Sequence, residues 1–150
     1  MLNKTAELGI QVLLYLALRG ADTPAPPRAI ADALDSSPTY TAKVAGLLVK
    51  AGLLTAVRGA HGGVTLSRAP KELALIEIVE ACQGKILADY CAPFDDLSLV
   101  CAYHEAMHKL HSAITGVLSR YTLADLAARP CPHQSIRRKV SCKLKWCERL

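Results

Sequence analysis

Arg58-Gly59-Ala60-His61-Gly62-Gly63-Val64-Thr65-Leu66 decides how this chain is read, because a loop with three glycines in five residues runs straight into alternating apolar and polar positions. Leu54 to Arg58 alternates in the same way on the other side of the loop. Two short alternating runs joined by a glycine-rich loop predict a β-hairpin spanning Leu54–Arg58 and Val64–Ser67. Immediately upstream, Ser37 followed by Pro38 is a good N-cap and first-turn pair, and it opens a helix that runs to Ala51 and stops at Gly52. On that helix Val44, Leu47, Leu48 and Ala51 are expected to face a core, while Thr39, Tyr40 and Lys43 project from the first turns. Before it, Thr23 to Pro27 is a Pro-rich turn, Arg28 to Leu34 a short helix with Ile30, Ala33 and Leu34 on one face, and Asp35-Ser36 a tight turn. Two helices joined by a short turn, followed at once by a hairpin, form a winged helix-turn-helix, the geometry that places side chains in a major groove. Candidate DNA contacts are Arg28, Ser37, Thr39, Tyr40 and Lys43 on the helices, with Arg58 at the base of the wing and His61 at its tip. An enzyme reading also exists for His61-Gly62-Gly63, since such a run can belong to a lipase oxyanion hole, but the Gly-x-Ser-x-Gly elbow that it requires does not occur.

Moving outward, the apolar run Leu8 to Leu18 follows Lys4 and has some look of a signal peptide. Glu7 and Gln11 interrupt that pattern, and Leu8, Val12, Tyr15 and Leu16 recur at helical spacing, so the run is expected to be a buried helix. No stretch approaches the roughly 18 apolar residues of a membrane span, which points to a soluble cytoplasmic protein. The 150 residues suffice for one good core with an appended helical arm. Their net charge of +5 is an average over unlike regions. Residues 1–71 hold eight Lys or Arg against four acids, residues 72–136 four against eight, and residues 137–150 six against Glu148 alone. A cationic first half suits a partner that carries phosphates. All six cysteines lie after residue 80, at 82, 91, 101, 131, 142 and 147. In a reducing compartment they are better suited to metal or redox chemistry than to structural disulfides.

The motifs together carry a family resemblance. The Leu-x-Tyr-Leu-Ala pattern of the first helix, Ser37-Pro38-Thr39-Tyr40, Gly52-Leu53-Leu54 and above all residues 58–66 resemble the Rrf-type winged-helix regulators, the IscR/NsrR-like family. The similarity continues through Ile78-Val79-Glu80-Ala81, Gly84 and Tyr121-Thr122-Leu123-Ala124-Asp125-Leu126, covering roughly residues 1–127. It implies a mainly α fold with a β-hairpin wing and a long dimerisation helix. It further implies a homodimer on a double-stranded DNA operator, often a repressor, whose affinity in many members depends on an iron–sulfur cluster.

Val100, Tyr103, Met107, Leu110, Ile114, Val117 and Tyr121 recur at alternating intervals of three and four, a heptad seam expected to pair two copies of the chain. Thr122 and Asp125 then look like a capping box opening a last short helix. Cys91 lies before the long helix and Cys101 near its start, with His104 one turn further on. The resemblance implies three cysteines here, yet no middle cysteine stands between Cys91 and Cys101. A cluster, [2Fe-2S] by preference, would therefore be completed by His104 or by Glu7, where some family members supply an acidic ligand. Zinc is the alternative, since Cys101, His104, His108 and His111 share a helix face. So is a cluster-free regulator that senses a metabolite or thiol oxidation. The tail carries Cys131, His133, Cys142 and Cys147 among Arg137, Arg138, Lys139, Lys143 and Lys145, either a zinc-folded element or a disordered basic arm. The expected organisation is a reading head over 1–71, a sensor linker and dimerisation helix over 72–130, and a tail over 131–150.

Overall fold

The structure, a computed structural model, describes residues 2–20, 23–59, 62–86, 96–136 and 139–140. These residues form α1 (Lys4–Arg19), α2 (Pro27–Leu34), α3 (Pro38–Lys50), β1 (Leu54–Val57), β2 (Gly63–Leu66), α4 (Leu75–Gln83), α5 (Ala102–Arg120) and α6 (Leu123–Ala128). The architecture is mainly α with one antiparallel hairpin, as the sequence predicts.

The helix α1 starts where the Asn3 side chain accepts the Ala6 N–H at 2.9 Å, a short polar cap on an otherwise unpaired first turn. It buries Ala6, Leu8, Gly9, Ile10, Val12, Leu13, Leu14 and Leu16, far more than the single stripe of a surface helix. Accordingly α2, α3, α4, α6 and β2 all pack on it. At Gly9 the approach of α4 is so close that an added Cβ would stand 2.5 Å from the Cys82 Sγ.

Pro27 opens α2 one residue earlier than expected, and its buried residues are Ile30 and Ala31, with Ala33 and Leu34 only partly covered. Asp35 ends it in the left-handed region at φ 53°, which short polar side chains tolerate, and the Ser36 N–H closes on the Ala31 carbonyl at 3.0 Å. That turn hands the chain to α3, where Ser37 caps the Tyr40 N–H and Pro38 occupies the first turn. The core face of α3 is Thr41, Val44, Ala45 and Leu48; Ala51, expected inside, is exposed at the C-cap, and Leu47 is half-buried.

In the wing, Leu54 pairs with Leu66, Thr55 with Thr65, Ala56 with Val64 and Val57 with Gly63. Each strand ends one residue earlier than expected, so Arg58 and Ser67 fall just beyond them. Ala25, read from sequence as part of a turn, bridges to Val64 through reciprocal backbone hydrogen bonds of 3.1 and 2.9 Å. Gly63 sits against the Ala25–Pro26 backbone, where a Cβ would collide, so the wing is anchored to the chain ahead of α2.

Beyond the wing, Glu77 in the first turn of α4 accepts the Ala74 N–H at 3.0 Å and pairs with Arg68 at 2.7 Å. Partial burial pushes the Glu77 carboxyl up, but the Arg68 guanidinium and the Ala74 N–H outweigh it and hold its pKa below the ordinary value. The expected capping box at Thr122 is present, with the Thr122 N–H donating to Asp125 at 2.8 Å and the Asp125 N–H returning to Thr122 Oγ1 at 3.3 Å. Leu75 N–H to the Tyr121 carbonyl at 2.9 Å, and Leu123 N–H to the Leu73 carbonyl at 2.8 Å, tie the end of α5 back to the start of α4. One cluster of buried apolar side chains consequently runs from Ala6 of α1 through Leu48, Leu66 and Ile78 to Leu123 of α6. Among the described residues no helix is long and apolar enough to cross a membrane.

Candidate nucleic-acid interface and sensing donors

With Thr41, Val44, Ala45 and Leu48 turned inward, α3 leaves Thr39, Ala42, Lys43, Gly46 and Lys50 on its exposed side. Thr39, Lys43, Gly46 and Lys50 follow one another at intervals of four, three and four residues, so they line one ridge of the helix, with the Ala42 methyl beside it. A hydroxyl, a methyl, two ammonium groups and a gap without a side chain can meet base edges and phosphates. Ser37 and Arg28 are exposed on the same helix pair, and Arg58 is exposed at the wing base. His61 lies outside the described residues.

Tyr40 is placed differently from its expected neighbours. It is half-buried against the core, and its hydroxyl is 2.8 Å from Thr5 Oγ1 of α1, so it fixes the start of α3 on α1. Ala42, Gly46 and Lys50 were missed by sequence reasoning; their signal was their spacing from Thr39 and Lys43. Thr41 drew no attention either, yet it is fully buried, its Oγ1 without a hydrogen-bond partner among the described residues.

The long helix α5 buries one side chain, His104, at 5% exposure. Its heptad pattern resolves into two columns. Tyr103, Leu110 and Val117, seven residues apart, are 64%, 45% and 54% exposed. Met107 is half-buried, and Ile114, with Leu118, packs on the chain's own core, so the seam as first read is not one free face.

The candidate metal donors are spread over different surroundings. Cys101 is exposed at the N-cap of α5, His104 is buried three residues on, and Glu7 lies half-buried in the first turn of α1. Cys91 lies outside the described residues. Among the described residues no three His, Cys, Asp or Glu side chains converge on a point that could hold a metal ion. The stretch of Cys101, His104, His108 and His111 along α5 is therefore not a closed zinc site, for the geometric reason that successive turns of one helix carry ligands away along its axis. By residue type, two thiolates with an imidazole or carboxylate do suit an iron–sulfur cluster, but that fit depends on Cys91. Cys82 belongs to no such set: it is pressed against α1, and burial pushes its thiol up to about 11, which keeps it protonated at neutral pH.

Residues 2–129 match the Rrf2 family model, described as an iron-dependent transcriptional regulator. The chain is 29% identical over 129 residues to the HTH-type transcriptional regulator NsrR of Halalkalibacterium halodurans, covering 83% of this chain and 88% of that one. It is 34% identical over 134 residues to the protein aau3 of Rhizobium meliloti, covering 86% of each. Among solved structures, CymR, the global cysteine regulator of B. subtilis, superposes with a TM-score of 0.71 at 26% identity, covering 85% of this chain and 96% of that one.

Proposed function

This chain belongs to the Rrf2 family of transcriptional regulators, and on that premise we propose that it binds duplex DNA in the cytoplasm as a homodimeric repressor. The observation that carries the reading is the exposed ridge of α3, Thr39, Lys43, Gly46 and Lys50, beside a wing that presents Arg58. In this reading the ridge enters the major groove, Arg28 and Ser37 meet the flanking backbone, and Arg58 and His61 reach the phosphates or the adjacent minor groove. Tyr40 acts as a positioning residue through Thr5. Residues 1–71 are the reading head and residues 72–130 the sensing and dimerising part, the second copy covering the exposed column Tyr103, Leu110 and Val117.

Operator affinity is set by an iron–sulfur cluster, preferably [2Fe-2S], or by direct thiol oxidation at Cys91 and Cys101. When bound, the cluster supplies one-electron redox chemistry and reactivity towards oxidants. The chain's own contribution is to hold Cys101 at the edge of α5, exposed and next to the linker that carries Cys91, with His104 or Glu7 as completing ligand. The exposure of Cys101 supports a cluster-free thiol sensor as a second reading.

Anaerobic purification with an absorption spectrum and iron and sulfide analysis, followed by DNA titration before and after oxidation, tests the proposal. Cluster absorption that is lost in Cys91→Ser and Cys101→Ser, with altered DNA affinity, is expected. A colourless, iron-free protein whose DNA affinity still responds to peroxide through those cysteines leaves the thiol sensor. Indifference of DNA binding to both treatments overturns sensing at this site.

A further inference from the structure

One side of α5 is left uncovered by the described residues of its own chain. Tyr103, Leu110 and Val117 form its apolar column, and Ala106, Ala113 and Gly116 are exposed along the neighbouring row. At the C-terminal end of α6, an open cavity of about 620 Å³ has apolar walls from Tyr121, Leu126, Pro130 and Pro132. Resting on the homodimer reading above, we infer that these two features are parts of one two-fold interface. The α5 helices of two copies run antiparallel with Leu110 at the axis, and Leu99 of each copy enters the cavity of the other.

A two-fold axis pairs each residue of a helix with one equally far on the other side of that axis. Tyr103 and Val117 stand seven residues before and after Leu110, and Leu99 and Tyr121 eleven before and after. The sizes of the side chains complement one another only in the antiparallel sense. Tyr103, the bulkiest member of the column, then lies over the partner's Ala113, Gly116 and Val117, where small side chains leave a hole for it. Gly116 is exposed inside the helix, and a Cβ built on it meets no atom within 4 Å, so packing within its own chain gives no reason for glycine there. Parallel helices in register would set Tyr103 against Tyr103 and leave the Gly116 gap facing itself.

Charge favours the same direction. Residues 96–108 carry Asp96 and Glu105 and no Lys or Arg, while residues 110–124 carry Arg120 and no acid. Antiparallel packing brings each acidic end to a basic one, whereas parallel packing sets like on like. Arg129 on the cavity rim adds to the basic end, since its neighbour Asp125 is taken up in capping Thr122. Lys109, between the two ends, is drawn back along its own helix to Glu105 at 2.5 Å, which leaves the axis to Leu110. Ahead of α5, Leu97–Leu99 is a short helical turn in which Leu99 is 72% exposed, and Val100 and Cys101 are extended. In an antiparallel pair this segment runs on past the end of the other α5, where the cavity opens beside Tyr121. The cavity of its own chain is out of reach, because the 19 residues of α5 span about 28 Å. The linker that carries the sensing cysteines thus rests on the other subunit, and a change at Cys91 or Cys101 acts directly on the pairing of the copies.

Cys131, half-buried, lines the cavity and supplies a native thiol for the test. In the full chain, Leu99→Cys combined with Cys91→Ser and Cys101→Ser is expected, on oxidation with diamide, to give a disulfide between position 99 of one copy and Cys131 of the other, identified by the mass of the linked peptides. Gly116→Leu, which meets open space in its own chain, is expected to weaken dimerisation by about 10–100-fold in sedimentation, and adding Tyr103→Ala to restore most of the loss. A chain that is monomeric at every concentration overturns this arrangement together with the dimer reading. A dimer that forms no 99–131 link, leaving the cavity to the chain's own tail, or a dimer indifferent to Gly116→Leu, overturns the arrangement alone.

Discussion

Gly46 is the residue whose role separates reading from stability most cleanly. It sits in the middle of α3, is exposed, and a Cβ built on it meets no atom within 4 Å. Glycine at an exposed helix interior costs about 0.8–1.0 kcal/mol relative to alanine, so packing within the chain gives no reason for its presence. Under the proposed function, close approach of a duplex to the ridge between Lys43 and Lys50 does. Gly46→Ala is therefore expected to raise unfolding stability by about that amount and to weaken DNA binding by about 1–3 kcal/mol, the scale of one groove contact. Unfolding and binding titrations on one preparation check both signs, and unchanged binding would place Gly46 away from the groove. Thr39→Ala and Lys43→Ala belong to the same ridge, with Lys43→Ala also lowering the salt dependence of binding by roughly one phosphate's worth. Tyr40 shows the limit of residue-level reading. Its position near the start of α3 was legible, but only a contact thirty-five residues away in sequence, with Thr5, reveals where its hydroxyl points.

Among elements, the α1–α4 contact and the α5 column make opposite predictions. Gly9→Ala forces a methyl against the Cys82 Sγ, an overpacking expected to destabilise by about 1–3 kcal/mol. Adding Cys82→Ala vacates that volume, so the double variant should recover much of the loss; additive losses in urea unfolding would mean that the helices are held apart by other contacts. On α5, Leu110→Asp with Val117→Asp changes exposed side chains and is expected to give folded monomers by sedimentation. Ile114→Asp, which faces the chain's own core, should instead lower stability. A persistent dimer in the first variant would contradict pairing through this column. The elements differed in how far sequence announced them. Caps and turns are local signals, so the Ser37-Pro38 start of α3, the glycine loop of the wing and the Thr122 box were visible. The short α4 has only Ile78 and Val79 buried, too few for a period, and the Ala25–Val64 bridge is non-local. Periodicity showed that the α5 positions share a helix side, but not that Ile114 meets the chain's own core while Tyr103 stays open.

For the whole molecule, the opposed charges of the sequence regions acquire places. The cationic first half carries the exposed ridge and wing, while the acidic stretch supplies Glu77 and Asp125 to pairs and caps within the fold. The proposed sensing donors were the least legible, because Cys101 and His104 stand at the start of α5 and Glu7 in the first turn of α1, and no local spacing in a sequence reports whether side chains on different elements meet. The central claim is that two copies of this chain read DNA together. Selection of bound duplexes from a random-sequence pool by the purified full chain tests it directly. The expected product is an inverted repeat with half-site centres about 10–10.5 bp apart, or a multiple of that, and its enrichment should vanish with Lys43→Ala or Leu110→Asp/Val117→Asp. Enrichment of a single asymmetric site, or none above the starting pool, would contradict it.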